Sequence, residues 1–175
     1  MSLSRRGFLG SALAWAVSAL VSAAMDTQAP ALASSGGMRL VEYQGADDPA
    51  AFAKLVQRES LNHVALVVFH AQWCGPCKKF FQDVAAIGAQ PGQQFKVIGV
   101  DVGPPQFRQG PYKNLVAAHQ VLGTPTMQFY VDGDRQYGRA GVCQNNEEMA
   151  RYLRDLQRGL KGTGPAQIQA PRCEI

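Results

Sequence analysis

The sequence predicts one α/β domain: a central mixed sheet of about four to five strands flanked by helices, in the order β-α-β-α-β-α-β-β-α. Three observations carry that prediction. Stretches that are apolar and β-branched alternate with stretches whose apolar residues fall at helical spacing, the pattern of strands joined by helical crossovers. The alternation ends in a hairpin signal, Asp132-Gly133-Asp134, which adds antiparallel strands. The chain has 175 residues, 46% of them hydrophobic, which suits one core and is too short for two ordinary domains.

The elements follow in order. Residues 38–43 alternate as a short strand. Asp47-Asp48-Pro49 starts a helix, since an aspartate caps and a proline suits the first turn. Ala50, Phe52, Ala53, Leu55 and Val56 then give it an apolar face. Residues 63–69 are nearly all apolar, as in a central strand buried on both faces. A helix over about residues 76–87 follows, with Phe80, Phe81, Val84 and Ile87 inward, and Gln90-Pro91-Gly92-Gln93 stops it. Residues 95–100 form another buried strand ending at Asp101. Gly103-Pro104-Pro105 and Gln109-Gly110-Pro111 punctuate a loop before a helix over about residues 111–119. Residues 126–131 and 135–140 are the two arms of the hairpin. Asn145-Asn146-Glu147-Glu148 caps a last helix to about Leu160, with Met149, Tyr152, Leu153 and Leu156 on one side. The domain therefore spans 38–160, after a flexible leader at 34–37. Residues 161–175 read as an extended tail.

Trp73-Cys74-Gly75-Pro76-Cys77 lies between the buried strand and the amphipathic helix. A thiol attacks a disulfide only as thiolate. Cys74 sits at the cap of the helix, its sulfur near the free N–H groups of the first turn. Pro76 has no donor to waste there. The helix dipole favours negative charge by up to ~2 kcal/mol in a partly buried geometry. One pKa unit is ~1.4 kcal/mol, so this field alone brings a thiol from ~8.5 to ~7. Lys78 and Lys79 add to the positive field. Cys77 lies one turn inward, where it attacks the sulfur of a Cys74 mixed disulfide and releases reduced substrate. Gly75 lets the loop pack tightly and leaves room for a substrate chain. A pair of buried or metal-binding cysteines is the alternative for an isolated C-x-x-C; the strand–motif–helix context favours redox chemistry.

Phe69-His70-Ala71-Gln72-Trp73-Cys74-Gly75-Pro76-Cys77-Lys78 resembles the active-site segment of the thioredoxin family. Gly123-Thr124-Pro125-Thr126 resembles that family's cis-proline loop, and Asp132-Gly133 followed by Gly141 its late hairpin. The resemblance covers about residues 38–160 and implies a thioredoxin-like fold. It implies a cis Pro125 facing the Cys74–Cys77 pair, with an ordinary trans proline as the alternative. It also implies a substrate surface of Trp73, Gly75, Pro76, Thr124 and Pro125, on which the Thr124 backbone pairs with an extended substrate segment. The chain departs from the family at two buried positions. Val68 stands where thioredoxins place an Asp, and Val97 where they place a Lys, groups associated with proton transfer at the resolving cysteine. His70 stands where thioredoxins often have Trp, either tuning the Cys74 thiolate or serving as a plain surface residue.

Residues 1–33 read as an address. Arg5-Arg6 is followed by an uncharged stretch over 7–25, and Ala31-Leu32-Ala33 is a small-residue exit. Ser4-Arg5-Arg6-Gly7-Phe8-Leu9 resembles the twin-arginine export signal, which implies a periplasmic protein. An uncleaved inner-membrane anchor is the alternative, because the stretch is just long enough to span a bilayer.

Composition narrows the function classes. Net charge is +4, from 17 basic and 13 acidic residues. No basic run exceeds two residues, so nucleic acid is not an expected partner. The four cysteines include no second C-x-x-C, so no structural zinc site is expected. No metal and no cofactor are called for. Cys143 precedes the last helix and Cys173 follows it; a folded-back tail brings them together as a structural disulfide. Two free thiols, or Cys173 as a relay to the active pair, are the alternatives. The expected function is an exported, monomeric thiol–disulfide oxidoreductase, reducing protein disulfides and recharged by a membrane-borne electron donor. A disulfide oxidase or isomerase is the runner-up, since Gly75-Pro76 resembles reducing thioredoxins while Thr124 is more typical of periplasmic relatives. A metal-binding maturation factor is a third reading.

Overall fold

The computed structural model describes residues 38–143, 145–163 and 168–174. The expected signal at 1–33 and leader at 34–37 lie outside the described residues. The chain runs β1 (Met38–Glu42), α1 (Pro49–Ser60), β2 (Val64–His70), α2 (Gly75–Gly88), β3 (Phe95–Asp101) and a 3₁₀ turn (Phe107–Gln109). It continues through α3 (Lys113–Ala118), β4 (Thr126–Val131), β5 (Asp134–Ala140), β6 (Val142–Cys143), α4 (Asn146–Leu160) and β7 (Cys173–Glu174).

The main sheet has the order β1-β3-β2-β4-β5. β1 and β2 run parallel to β3, and β4 runs antiparallel to both β2 and β5, so the sheet is mixed. The apolar run of β2 places it at the centre: Val64 through Phe69 are fully buried. Period-2 alternation divides those residues between two cores. Ala65, Val67 and Phe69 face Phe52, Val56 and Leu115 on the α1/α3 side. Leu66 and Val68 face Phe80, Val84 and Leu153 on the α2/α4 side. Fully burying one such side chain contributes about 1.5–3 kcal/mol, so this strand is anchored from both faces.

Local capping chemistry sets several boundaries. Asp48 accepts from the Ala50 amide at 2.9 Å with Pro49 at the first helical position, and Asn145 accepts from the Glu147 amide at 2.8 Å. The hairpin turn has φ 51° at Asp132 and 89° at Gly133, the double positive φ of a type I′ turn.

One expectation is corrected. The helix expected over 111–119 is shorter and preceded by the 3₁₀ turn. Its start is set from a distance: the Asp47 carboxylate accepts from the amides of Asn114 and Leu115, both at 2.9 Å. No local signal marks a cap supplied by another part of the chain. Part of the segment after α4 is paired. β7 forms a two-stranded antiparallel ladder with β6, placing Cys173 opposite Cys143. Tyr137 donates to the Pro171 carbonyl at 3.0 Å, the Arg172 amide donates to Glu148 at 3.2 Å, and Ile168 packs against the α2/α4 core. Strands of two residues carry no propensity signal of their own.

On the opposite face, His119 closes the end of α3. Its ring lies 5.2 Å from Phe52 and 5.3 Å from Phe69, centroid to centroid. Its Nδ1 lies 2.8 Å from Gln128 Oε1, and Gln128 Nε2 donates to the His119 carbonyl at 2.8 Å. Tyr130 also donates to Gln128 Oε1, at 2.7 Å. Burial pushes the His119 pKa below the ordinary 6.5, and Arg135 acts in the same direction against the Gln128 hydrogen bond. Burial likewise pushes Tyr130 up to about 12. The folded protein therefore keeps His119 neutral where the unfolded chain protonates it. Stability from this group is present above the unfolded value and is lost as pH falls through 6.5 toward the lower folded pKa. Urea unfolding measured from pH 8 to 5.5 should show a steeper loss of stability in the wild type than in a His119→Phe/Gln128→Leu double variant; equal slopes would exclude this contribution.

Candidate active site

β2 delivers the chain to the head of α2 through one tight step, in which the Cys74 amide donates to the Ala71 carbonyl at 3.1 Å. Cys74 has φ −78° and ψ 102°, the extended conformation of an N-cap, and its Sγ accepts from the Cys77 amide at 3.1 Å. The helix therefore begins at Gly75, one residue before the sequence-based estimate, and Pro76 occupies its second position. Cys74 and Cys77 are joined as a disulfide with their Cα atoms 5.3 Å apart. Both residues are buried, at 3% and 2% exposure, whereas Trp73 beside them is 48% exposed. Trp73 Nε1 donates to the Gly103 carbonyl at 2.6 Å, fixing the indole against the loop after β3.

This geometry suits two-electron sulfur chemistry. The amide that reaches Cys74 Sγ across the disulfide is the same donor that meets its thiolate when the bond is opened. A backbone N–H at a helix N-terminus favours the charged form of its partner. The second sulfur is already within bonding range, so neither cysteine has to search for the other.

The Thr124–Pro125 peptide bond is cis. The pairing of Phe69 with Thr126 closes the β2–β4 ladder, so this bond lies just beyond it, at the end of the sheet from which Trp73–Cys77 emerges. The Pro125 carbonyl accepts from the Gly141 amide at 2.7 Å, and Thr126 Oγ1 donates to the Gly123 carbonyl at 2.6 Å. Gly141 has φ 104°, a conformation that favours glycine. Pro125 is buried and Thr124 is half-buried. None of the described backbone hydrogen bonds outside the regular elements uses Thr124.

Cys143 lies apart from this constellation. It is disulfide-bonded, and its Sγ lies 3.6 Å from Met127 Sδ and 3.9 Å from Met149 Sδ, on the α2/α4 core. Of the two nearby lysines, Lys79 is held by Asp83 at 2.8 Å rather than directed at the sulfurs.

One arrangement at the site was not read from the sequence. An open groove of about 240 Å³ borders Cys77 and is lined by Glu42, His70, Lys78, Phe81 and Val97 among others. Val68 and Val97 are fully buried, so the apolar substitutions noted above are part of the core beside this groove. Glu42 Oε2 lies 3.2 Å from His70 Nε2, across β3. Gly99 permits this. It pairs with Glu42 on one side and Val68 on the other, and a Cβ there would sit 2.6 Å from both Glu42 carboxylate oxygens. A lone glycine inside an otherwise β-branched strand is the sequence signal that was available.

The thioredoxin family model matches residues 44–155. The chain is 31% identical over 98 residues to a thioredoxin of Mycoplasmoides gallisepticum, covering 54% of this chain and 87% of that one. It is 33% identical over 101 residues to a thioredoxin domain-containing protein 5 homolog of Drosophila melanogaster, covering 56% of this chain and 21% of that one. The match thus spans about a fifth of the longer relatives, 21% in each case. Among solved structures, oxidised thioredoxin O2 of Arabidopsis thaliana shares the fold, with a TM-score of 0.50 at 19% identity over 67% of this chain and 94% of that one. A family match over residues 44–155, a cysteine pair capping α2 and a cis proline at the same sheet end together make this chain a member of the thioredoxin family.

Proposed function

We propose that the chain is an exported thiol–disulfide oxidoreductase that reduces protein disulfides through Cys74 and Cys77. The observation that carries the reading is the Cys74 sulfur held under the Cys77 amide, with its bonding partner one turn away. In the reduced protein the Cys74 thiolate attacks a substrate disulfide. A Cys74–substrate bond forms and the other substrate sulfur leaves as a thiolate, which takes up a proton. Cys77, as thiolate, then attacks Cys74 Sγ. The Cys74–Cys77 bond closes and the second substrate thiol departs. The Thr124 backbone is the pairing edge for an extended substrate segment. Trp73, Gly75, Pro76 and Pro125 form the surface around it. Arg5-Arg6 and the uncharged stretch after them support export to the periplasm. A reductase there requires a membrane-borne electron donor, because that compartment is kept oxidising.

Dithiol-reduced protein should catalyse insulin reduction. Cys77→Ser should accumulate substrates as mixed disulfides on Cys74, and Cys74→Ser should trap none. A glutathione titration of the pair should give a potential below about −180 mV; a higher value would reverse the direction in favour of the oxidase reading.

We further propose that Cys143 pairs with Cys173, which lies opposite it in the β6–β7 register, and that this bond pins the tail. Closing a loop of this size contributes about 2–4 kcal/mol. Cys143→Ser should lower the unfolding free energy by that amount without changing insulin turnover. Finding Cys143 and Cys173 both alkylatable in the untreated protein would refute the pairing.

A further inference from the structure

We propose that His70, oriented by Glu42, is the proton acceptor for the resolving cysteine, acting on the Cys77 thiol through water in the groove the three residues share. The inference rests on the thiol-exchange reading above and adds to it the route of one proton.

The need for such a group follows from burial. Cys77 is 2% exposed, and a thiol must lose its proton before it attacks. Val97, which lines the groove beside it, is fully buried and offers no acceptor. The groove brings titratable groups to this cysteine. Along its lining these are Glu42 from β1, His70 from β2 and Lys78 from α2. Asp101 pairs with His70 from β3, but its Oδ1 accepts from the Gly103 amide at 2.9 Å. Lys78, as an ammonium, has no lone pair to accept a proton. His70 has the suitable chemistry, since neutral imidazole accepts a proton near neutral pH.

Glu42 supplies the orientation. An ionised carboxylate only accepts hydrogen bonds, so the 3.2 Å contact to His70 Nε2 places the imidazole proton on that nitrogen and leaves Nδ1 as the base. The ring is held edge-on to Phe81 of α2, at 5.0 Å and 89°. The His70 side chain is 14% exposed and that of Glu42 is 41% exposed, so the pair bridges the groove and bulk solvent. A groove of about 240 Å³ has room for the bridging water, which occupies about 30 Å³ in the liquid. In the resolving step the Cys77 proton passes through that water to His70 Nδ1. The Cys77 thiolate forms the bond to Cys74 Sγ, and the Cys74–substrate bond breaks. The departing thiolate is protonated from solvent, and the imidazolium loses its proton to solvent.

The test uses the reduced full chain and an aromatic disulfide, 5,5′-dithiobis(2-nitrobenzoate). The first thionitrobenzoate released reports Cys74 attack; the second reports Cys77 closing on the mixed disulfide. His70→Gln should slow the second release about tenfold at pH 7. Glu42→Gln should also slow the second release, since it removes the carboxylate that orients the imidazole. The first release should keep its pH profile in all three proteins. An unchanged second release in His70→Gln would overturn the proposal, as would equal slowing of both releases. A first release that titrates like an ordinary thiol would instead sink the thiol-exchange reading, which keeps the two failures apart.

Discussion

The hydrogen bond from the Cys77 amide to the Cys74 sulfur, at the point where β2 passes into α2, constrains much of the surrounding structure. Cys74 must be both the last extended residue of the approach and the cap of the helix. It must also stand one turn from a second cysteine. The field available at such a helix start is up to ~2 kcal/mol, and the distance from an ordinary thiol to one ionised near neutrality is about 1.5 pKa units, again ~2 kcal/mol. The two quantities match only if the sulfur stays in place. A displacement out of the first turn forfeits the effect, because the field fades within that turn.

The fold meets this demand by making β2 the most securely held strand of the sheet. Its two neighbours, β3 and β4, and the apolar cores on both faces leave it little freedom. The same arrangement brings the Thr124–Pro125 segment to the correct end, because β4 runs antiparallel to β2 and begins where β2 finishes. Gly141, reaching back from beyond β5, holds the Pro125 carbonyl. The reactive pair and the proposed substrate edge are thus positioned by one ladder rather than by separate loops.

Much of this was legible in the residues. Continuous apolar runs marked β2 and β3, Asp48-Pro49 and Asn145 marked the starts of α1 and α4, and Asp132-Gly133 marked the hairpin. Each of these is a local signal. What was not legible depended on contacts between distant segments. The start of α3 depends on Asp47 more than sixty residues away, and β6 and β7 exist only because they pair. The Glu42–His70 pair falls in the same class. Its residues sit in different strands with β3 between them, and only Gly99 hinted that a side chain crosses there. The enclosure of His119 by Phe52, Phe69, Gln128 and Tyr130 likewise joins distant segments.

The most direct measurement is a pH titration of the Cys77 backbone amide by nitrogen–proton NMR in the reduced protein. If that amide is the donor that stabilises the Cys74 thiolate, its resonance should shift with a single inflection near pH 7, about 1.5 units below an ordinary thiol. An amide that does not respond, or that follows an inflection near 8.5, would contradict the account.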